Sequence, residues 1–244
     1  MSSSITFEFT RENIDTYIKE VAKDFRKRTG KKVKAELILI GGASVLLNYD
    51  FRQMTTDIDA MYEVSSAMKE SINYVGDKYG LPLEWLNTHF KNTTSYTPKL
   101  RQYAMHYKTF ANVVSVYTVK AEYLVAMKLV SGRKYKNDLS DIVGVLAEHK
   151  LSGKPLTLEG VKQATENLYG DWDYISKEMR GFVTDLFEKE DYVDKYKEIR
   201  QQEIDNKQAL IEFEETYPDV VVNQSNIKEV VDALVKKKSE EKNN

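Results

Sequence analysis

The sequence predicts an α/β domain followed by an all-helical domain. An apolar run at residues 37–40 has the length of a buried strand and ends on two glycines, and residues 56–62 alternate like a strand with one solvated face. After a polar stretch at 150–155 the apolar spacing is helical and predicts helices over 157–169, 173–187, 191–215 and 226–238. We therefore expect an α/β domain over residues 1–150 and a helical C-terminal domain with a frayed, charged tail over residues 151–244.

The first domain is expected to open with a helix, a strand, a short helix and a second strand. Apolar residues recur at helical spacing between Thr10, which suits an N-cap, and Gly30, which suits a helix end. A strand over 33–40, a helix over 43–49 and a strand over 56–62 follow. This order places the glycines and the acidic residues at strand ends.

Helices and strands alternate through the rest of this domain. Ser65 and Gly80 suit the two ends of an amphipathic helix. The residues expected on its buried face are Met68, Ile72, Val75 and Tyr79. Strands are predicted over 100–107 and 111–117, and a helix is predicted from Ala121.

Two residues of the segment 81–87 admit a functional interpretation beside a structural one. Trp85 is large and apolar, so we expect a core position rather than a base-stacking role. Asn87 is compatible with the site or with the turn, and the turn is favoured.

Composition excludes several kinds of chemistry. With 41% hydrophobic and 30% charged residues, the chain belongs to the soluble globular class. Zero cysteines exclude disulfides and thiolate zinc sites, and the three histidines do not stand at metal-ligand spacing. No apolar run has membrane-spanning length and no signal segment is evident, so we expect a cytoplasmic protein with no membrane partner.

Charge is distributed unevenly despite a net charge of −2. Between Lys91 and Lys136 there are nine Lys or Arg and one acidic residue, Glu122, whereas from Asp185 to the end sixteen Asp or Glu face ten Lys or Arg. A basic segment beside the candidate site is expected if the site faces a polyanion. The first helix also carries a basic face: Lys23, Arg26, Lys27 and Arg28. A solvated surface is the favoured interpretation of that face, and nucleic-acid contact is the alternative.

Four residues indicate a nucleotidyl or phosphoryl transfer site. Gly41 and Gly42 enter a helix, where glycines let a backbone approach a phosphate. Asp57 and Asp59 are two apart on a strand, so their carboxylates face the same way and can share a hard cation such as Mg²⁺ bridged to nucleotide phosphates. The structural alternative is a tight Gly-Gly turn and a solvated Asp-x-Asp face.

These residues, with Arg52 and Thr56, resemble the signature of the polymerase-beta-like nucleotidyltransferase superfamily, and more closely its branch of AbiEii and MenT-type toxins and their uncharacterised relatives. The resemblance covers roughly residues 35–148 and implies a nucleotidyltransferase fold with a mixed sheet. It implies catalytic, metal-binding roles with Mg²⁺ or Mn²⁺ for Asp57 and Asp59. The nucleotide-binding residues that it implies are Gly41, Gly42, Ser44, Arg52, Thr56 and Lys128. The sequence departs from the superfamily in a longer 43–56 gap and in the lack of a third carboxylate within 113–119.

A second string of residues, from Lys128 to Asp141, carries the other part of the resemblance. Lys128 lies on a helix face of small and apolar residues, where a lysine needs an anionic partner such as a nucleotide triphosphate or the aspartate pair. The spaced basic and acidic residues resemble the family's second signature, which implies catalytic roles for Lys128, Asp138 and Asp141. Alternatively, Asp138 is a helix N-cap and Asp141 belongs to the first turn.

The resemblance implies transfer of a nucleoside monophosphate from a nucleoside triphosphate to an acceptor hydroxyl. It implies tRNA, through its 3′ end, as the acceptor, a role as the toxin of a toxin-antitoxin or phage-defence system, and a cognate antitoxin as partner. Two alternatives stay open. In the first, the enzyme class is the same but the acceptor is a protein side chain or a small alcohol. In the second, the chain is a non-catalytic nucleotide-binding or partner-binding module, as the missing third carboxylate suggests.

Overall fold

The computed structural model describes residues 7–223 and 226–242. Contacts divide the chain into two compact units. The first holds the described residues up to Met127 together with Glu159–Tyr174, and the second holds Lys128–Leu158 and the described residues from Ile175 onward. These units do not follow the expected boundary at residue 150, and the division into two independent domains stays a prediction.

A five-stranded mixed sheet forms the centre of the first unit. Its strands are β1 (Ala35–Leu39), β2 (Ile58–Tyr62), β3 (Leu86–Asn87), β4 (Ala104–Phe110) and β5 (Val114–Val119). Their order is β3-β2-β1-β5-β4. β1 pairs parallel with β5 and antiparallel with β2, β2 pairs parallel with β3, and β4 pairs antiparallel with β5. The predicted α/β class and the mixed sheet are therefore confirmed.

The helices, in chain order, are α1 (Arg11–Thr29), α2 (Gly41–Asn48), α3 (Ser66–Tyr79), α4 (Ala121–Ser131), α5 (Asp138–Leu151), α6 (Leu158–Tyr169), α7 (Lys177–Lys189), α8 (Tyr192–Thr216) and α9 (Ile227–Lys242). Thr10 caps α1 through a capping box, Ser65 caps α3, and Gly80 ends α3 in the left-handed conformation, as the sequence predicts. None of the described helices combines the length and the apolar character needed to cross a membrane.

One face of the sheet is buried against α1 and α3, which leaves the other face to carry the polar residues of the site. Leu37 and Leu39 of β1 belong to this core, together with apolar residues of both helices. Trp85 is 3% exposed and donates its indole N–H to the carbonyl of Ile72 at 3.2 Å, so its predicted core position is confirmed. Because side chains alternate along a strand, buried Ile58 points to this core and its neighbour Asp59 points to the opposite face.

Two details of the predicted first domain are wrong. The predicted strand 100–107 begins only at Ala104, because Pro98–Tyr103 forms 3-10 turns in which the hydroxyl of Thr97 accepts the N–H of Lys99 at 3.3 Å. Tyr79, expected to be buried, is 37% exposed at the last position of α3.

The described part of the second unit is helical. The long helix predicted over 191–215 is α8, and the helix predicted over 173–187 begins later, as α7, because Ser176 accepts the backbone N–H of Met179 and caps it there.

Candidate active site

The start of α2 requires glycine at two positions, at Gly41 for its backbone conformation and at Gly42 for lack of space. Gly41 has φ = +54°, in the left-handed region that favours glycine, and a Cβ there would meet nothing within 4 Å. Gly42 instead lacks room, because a Cβ would lie 2.6 Å from Thr55 Oγ1 and 2.9 Å from Arg52 Nη2. The turn is therefore open to solvent at Gly41 and closed by two polar side chains at Gly42.

Two groups at this turn favour an anion. Ile40 is the N-cap of α2 and provides no side-chain hydrogen bond to the first turn, so the helix begins without a side-chain cap. The guanidinium of Arg52 lies against Gly42, and its Nε donates to the carbonyl of Met54 at 3.1 Å. A helix N-terminus beside a guanidinium favours an anion, and phosphate is the anion that such turns commonly bind.

Thr55, which the sequence does not single out, holds the segment that leads to the aspartates. Its backbone exchanges two hydrogen bonds with Phe9, at 2.8 and 2.9 Å, and its hydroxyl donates to the carbonyl of Asp57 at 3.3 Å. The predicted nucleotide-binding residue, Thr56, is exposed. Thr55 is thus a positioning residue, and nothing in the local sequence distinguishes it from its neighbour.

The acidic strand lies next to the glycine turn. The N–H of Ile40 donates to the carbonyl of Asp59 at 2.9 Å, which places Asp59 beside the residue that precedes Gly41. Asp59 is half-buried in β2, and Asp57 is exposed just before the strand begins. Because Asp57 and Asp59 flank the buried Ile58, and side chains alternate along a strand, both carboxylates can point to the same face of the sheet.

This pair of carboxylates fits a magnesium ion. Mg²⁺ keeps several waters and is commonly held by one or two carboxylates together with substrate phosphates. In the described ranges no group of three or more His, Cys, Asp or Glu residues is placed to hold a metal. Asp57 and Asp59 therefore suit a cation that arrives with a nucleotide better than one held by the protein alone.

Asn87 is a further candidate that the sequence interpretation assigned to the turn. Its Oδ1 accepts the N–H of His89 at 2.8 Å, so the turn role is confirmed. It is also the partner of Asp59 in the parallel pairing of β2 with β3, and residues level with each other in such a pair present their side chains on the same face. Asn87 is 8% exposed, and its Nδ2 has no hydrogen-bond partner within the described part of the chain. A donor is thus available beside Asp59.

Ser44 serves the fold through its side chain. The residue is fully buried, and its hydroxyl accepts the backbone N–H of Val119 at 3.0 Å, which ties α2 to the end of β5. Its predicted contact with a nucleotide is untested, and the backbone N–H of Ser44 already donates to Ile40 at 3.3 Å.

Lys128, Asp138 and Asp141 form one buried cluster in the second unit. Lys128 Nζ lies 2.8 Å from Asp138 Oδ1 and 2.8 Å from Asp141 Oδ2, and Arg133 Nε donates to Asp138 Oδ2 at 2.7 Å. Lys128 is 6% exposed, so its expected burial is confirmed, whereas its expected pairing with a nucleotide triphosphate or with Asp57 and Asp59 stays a prediction. The partners that the structure gives it are Asp138 and Asp141.

Asp138 is an ion-pair partner and not the N-cap that the structural alternative predicted. Asn137 occupies the N-cap of α5, and Asp138 is the first residue of that helix. Burial alone would raise the pKa of Asp138, but the charges and hydrogen bonds of Lys128 and Arg133 outweigh it and hold the pKa well below its ordinary value.

The first turn of α5 is capped by a residue from α8. Glu203 is 2% exposed, and its Oε1 accepts the backbone N–H groups of Leu139 and Ser140 at 2.9 and 3.2 Å, while Oε2 accepts the hydroxyl of Ser140. Burial raises the pKa of Glu203 to about 7, against the hydrogen bonds from Ser140.

The mixed sheet, with a glycine turn and an acidic strand side by side, defines an α/β protein of a kind compatible with nucleotidyl transfer. Residues 16–197 match the family described as nucleotidyltransferase of unknown function (DUF6036). This match spans most of the chain, and the protein belongs to that family. No curated protein and no solved structure matches the chain.

Proposed function

We propose that this protein is a Mg²⁺-dependent nucleotidyltransferase whose site is the glycine turn and the acidic strand of the first unit. The observation that carries the proposal is the packing of the Arg52 guanidinium against Gly42 at the uncapped start of α2, with Asp59 hydrogen-bonded to Ile40 beside it. The proposed site for phosphates is thus adjacent to the proposed site for their cation, in the sequence and in the fold.

In the proposed reaction the turn and Arg52 bind the triphosphate of a nucleoside triphosphate, while Asp57 and Asp59 hold Mg²⁺. The metal, when bound, neutralises the phosphate charge that the two carboxylates would otherwise repel. The acceptor hydroxyl oxygen bonds to the α-phosphorus as the bond from that phosphorus to the β-phosphate oxygen breaks, and pyrophosphate leaves. The hydroxyl proton passes to water or to the exposed carboxylate of Asp57.

The other residues assigned by resemblance are kept as proposals. Thr56 is exposed next to Asp57 and is accessible to a ligand. The ion pairs of Lys128 with Asp138 and Asp141 support a role in holding α4 to α5. The resemblance further implies that Lys128 contacts the nucleotide phosphates, and this contact is kept as a proposal.

The acceptor proposed is the 3′ end of tRNA, and the biological role proposed is that of a toxin, as in the AbiEii and MenT-type branch, with an antitoxin as partner. Several cations of the basic segment are ion-paired with acidic residues, but Lys91, Lys99 and Lys120 are exposed lysines of the first unit and support a polyanionic acceptor. Induced expression should arrest growth, and the Asp57→Asn/Asp59→Asn variant should relieve the arrest. Arrest that persists in that variant at equal protein level would contradict a catalytic toxin.

Transfer itself is tested with each of the four nucleoside triphosphates labelled at the α-phosphate, supplied with Mg²⁺ and with tRNA, total protein or small alcohols as separate acceptors. We expect label in tRNA with the wild type and none with Asp57→Asn/Asp59→Asn. Label in protein or in a small alcohol would keep the enzyme class and replace the acceptor. No label in any acceptor would contradict the proposed activity.

A second candidate function is a non-catalytic nucleotide-binding module. It is favoured by the lack of a third carboxylate in 113–119, where the positions of β5 beside β1 carry Val114, Ser115, Val116 and Tyr117. Mg²⁺-dependent nucleotide binding without transfer to any acceptor would support this function over the first.

A further inference from the structure

The first unit has an open groove of about 470 Å³ with a basic lining, at the opposite end of β1 from the glycine turn. Its lining residues are Lys23, Arg26, Lys27, Gly30, Lys31 and Ala111. β1 joins the two ends, and its five residues span about 17 Å at the usual rise per residue. The groove is therefore separate from the candidate active site.

The charge of this region is opposite to that of the chain. Residues 20–34 include seven Lys or Arg and two acidic residues, while the whole protein has a net charge of −2. Both acidic residues are engaged by cations: Glu20 pairs with Lys23 and with Lys78 at 2.6 Å each, and Asp24 pairs with Arg28. The two acids neutralise only part of the positive charge, and the segment keeps an excess of five positive charges.

Two lysines of the groove are left for a ligand. Lys27 and Lys31 are exposed and have no acidic partner within 4 Å among the residues that the structure describes. Lys32, next to the groove, is likewise exposed. Cations in the last turn of a helix interact favourably with its C-terminal carbonyl groups, which explains their presence there. Lys31 and Lys32 lie after α1 has ended at Thr29, so this explanation does not apply to them.

The two small residues of the lining, Gly30 and Ala111, leave room for a ligand to approach the backbone. Gly30 has φ = +84° with open space where a Cβ would be, and Ala111 has φ = +49° in the turn between β4 and β5. Arg26 fixes this turn to α1 by donating to the carbonyl of Ala111 at 3.1 Å. The lining thus combines two small residues with four long cationic side chains.

We propose that this groove binds the phosphodiester backbone of a nucleic acid. Phosphate contacts need accessible Lys and Arg side chains along a concave path, which the groove supplies, and they need no base-reading groups. An anionic membrane is the less suitable partner, because peripheral membrane binding adds inserted aromatic or aliphatic side chains and the lining has only Ala111 as an apolar residue. Binding here is independent of the chemical step and needs no nucleoside triphosphate.

The test is fluorescence anisotropy with labelled bulk tRNA, without nucleoside triphosphate, across a series of salt concentrations. For Lys27→Glu/Lys31→Glu we expect affinity lower by about tenfold or more and a salt dependence reduced by about one to two units of slope. The matched control is Lys154→Glu/Lys177→Glu, which changes net charge equally at exposed lysines outside the groove. The control should bind within about threefold of the wild type.

Several results would overturn the proposal: unchanged affinity in Lys27→Glu/Lys31→Glu, an equal loss in the control pair, or binding to phosphatidylserine vesicles with none to tRNA. Thermal unfolding of both variants checks that these exposed substitutions leave the fold intact. The anisotropy measurement contains no nucleoside triphosphate and needs no chemical step, so that a failure of the proposed catalysis and a failure of this groove are told apart.

Discussion

Asp59 on β2 and Asn87 on β3 are partners in a parallel strand pair, so a carboxylate and a buried carboxamide share one face of the sheet. The carboxamide oxygen is occupied by the N–H of His89, which leaves the nitrogen as the group that can serve a ligand. A nitrogen donor suits a phosphate or sugar oxygen of a nucleotide and does not suit a metal ion.

The variant Asn87→Asp separates the two roles of this residue. It keeps an oxygen to accept the N–H of His89 but loses the donor and adds a negative charge beside Asp59. Because the new carboxylate is buried beside Asp59, we expect some loss of thermal stability, together with nucleotide affinity lower by about tenfold, measured by calorimetry. Unchanged nucleotide affinity would restrict Asn87 to the turn.

Gly42→Ala should damage both the fold and the site. The added methyl group would meet the hydroxyl of Thr55 and the guanidinium of Arg52 at distances below 3 Å, so these side chains must move. We expect about 1–3 kcal/mol of destabilisation in urea unfolding, together with weaker nucleotide binding.

The control for this substitution is Gly181→Ala in α7. A Cβ at Gly181 would meet nothing within 4 Å, and alanine favours a helix interior. This variant should be neutral or more stable by up to about 1 kcal/mol. A Gly42→Ala protein as stable as the control, with full nucleotide affinity, would show that the close packing at the turn is not needed.

Lys128→Met should be strongly destabilising because it removes the buried cation that Asp138 and Asp141 share, and Arg133 then pairs with Asp138 alone. Asp138 is fully buried and Asp141 is 2% exposed, so we expect a loss of about 3–5 kcal/mol in urea unfolding. Adding Asp141→Asn should recover part of that loss, since one uncompensated charge is removed. The exposed Lys177→Met is the control and should change stability by less than about 0.5 kcal/mol. A loss below about 1 kcal/mol in Lys128→Met would contradict a structural ion-pair cluster.

Glu203 should make stability fall between about pH 4.5 and pH 7. The folded protein keeps the proton until about pH 7, whereas the unfolded chain releases it near the ordinary value of 4.5, so the folded state binds more protons within this window. Stability should decline by up to about 3 kcal/mol as pH rises through the window and stay level above it. The lowered pKa of Asp138 affects stability only below this window. Its stabilising effect is lost as pH falls below 3.8, the ordinary pKa that the group has in the unfolded chain.

Glu203→Gln should remove this slope and be more stable than the wild type at pH 8, as measured by chemical unfolding at several pH values. The amide keeps one oxygen for the N–H groups of Leu139 and Ser140 and carries no charge. An equal slope in the variant would show that another group is responsible.

The features that the sequence predicts well are local ones. The strand, glycine turn and short helix at 35–48 follow from an apolar run that ends on two glycines, and the core position of Trp85 follows from its size. The need of Lys128 for an anionic partner was also visible, since it stands on an apolar helix face.

The features that the sequence does not predict depend on contacts between distant segments. The position of Asn87 beside Asp59 requires the pairing of β2 with β3, and the packing of Thr55 on Gly42 requires the path of the chain between them. In the same way, the partners of Lys128 and the capping of α5 by Glu203 are set by helix packing, for which spacing along one segment carries no signal.

The central claim, that the glycine turn and the acidic strand form one site for a metal-bound triphosphate, is tested most directly by calorimetric titration of nucleoside triphosphate with and without Mg²⁺. We predict binding by the wild type that requires Mg²⁺ and that falls by at least about tenfold in Asp57→Asn/Asp59→Asn, in a variant that thermal unfolding shows to be folded. Binding that is equally strong in the variant, or no binding of any nucleoside triphosphate by the wild type, would contradict the claim.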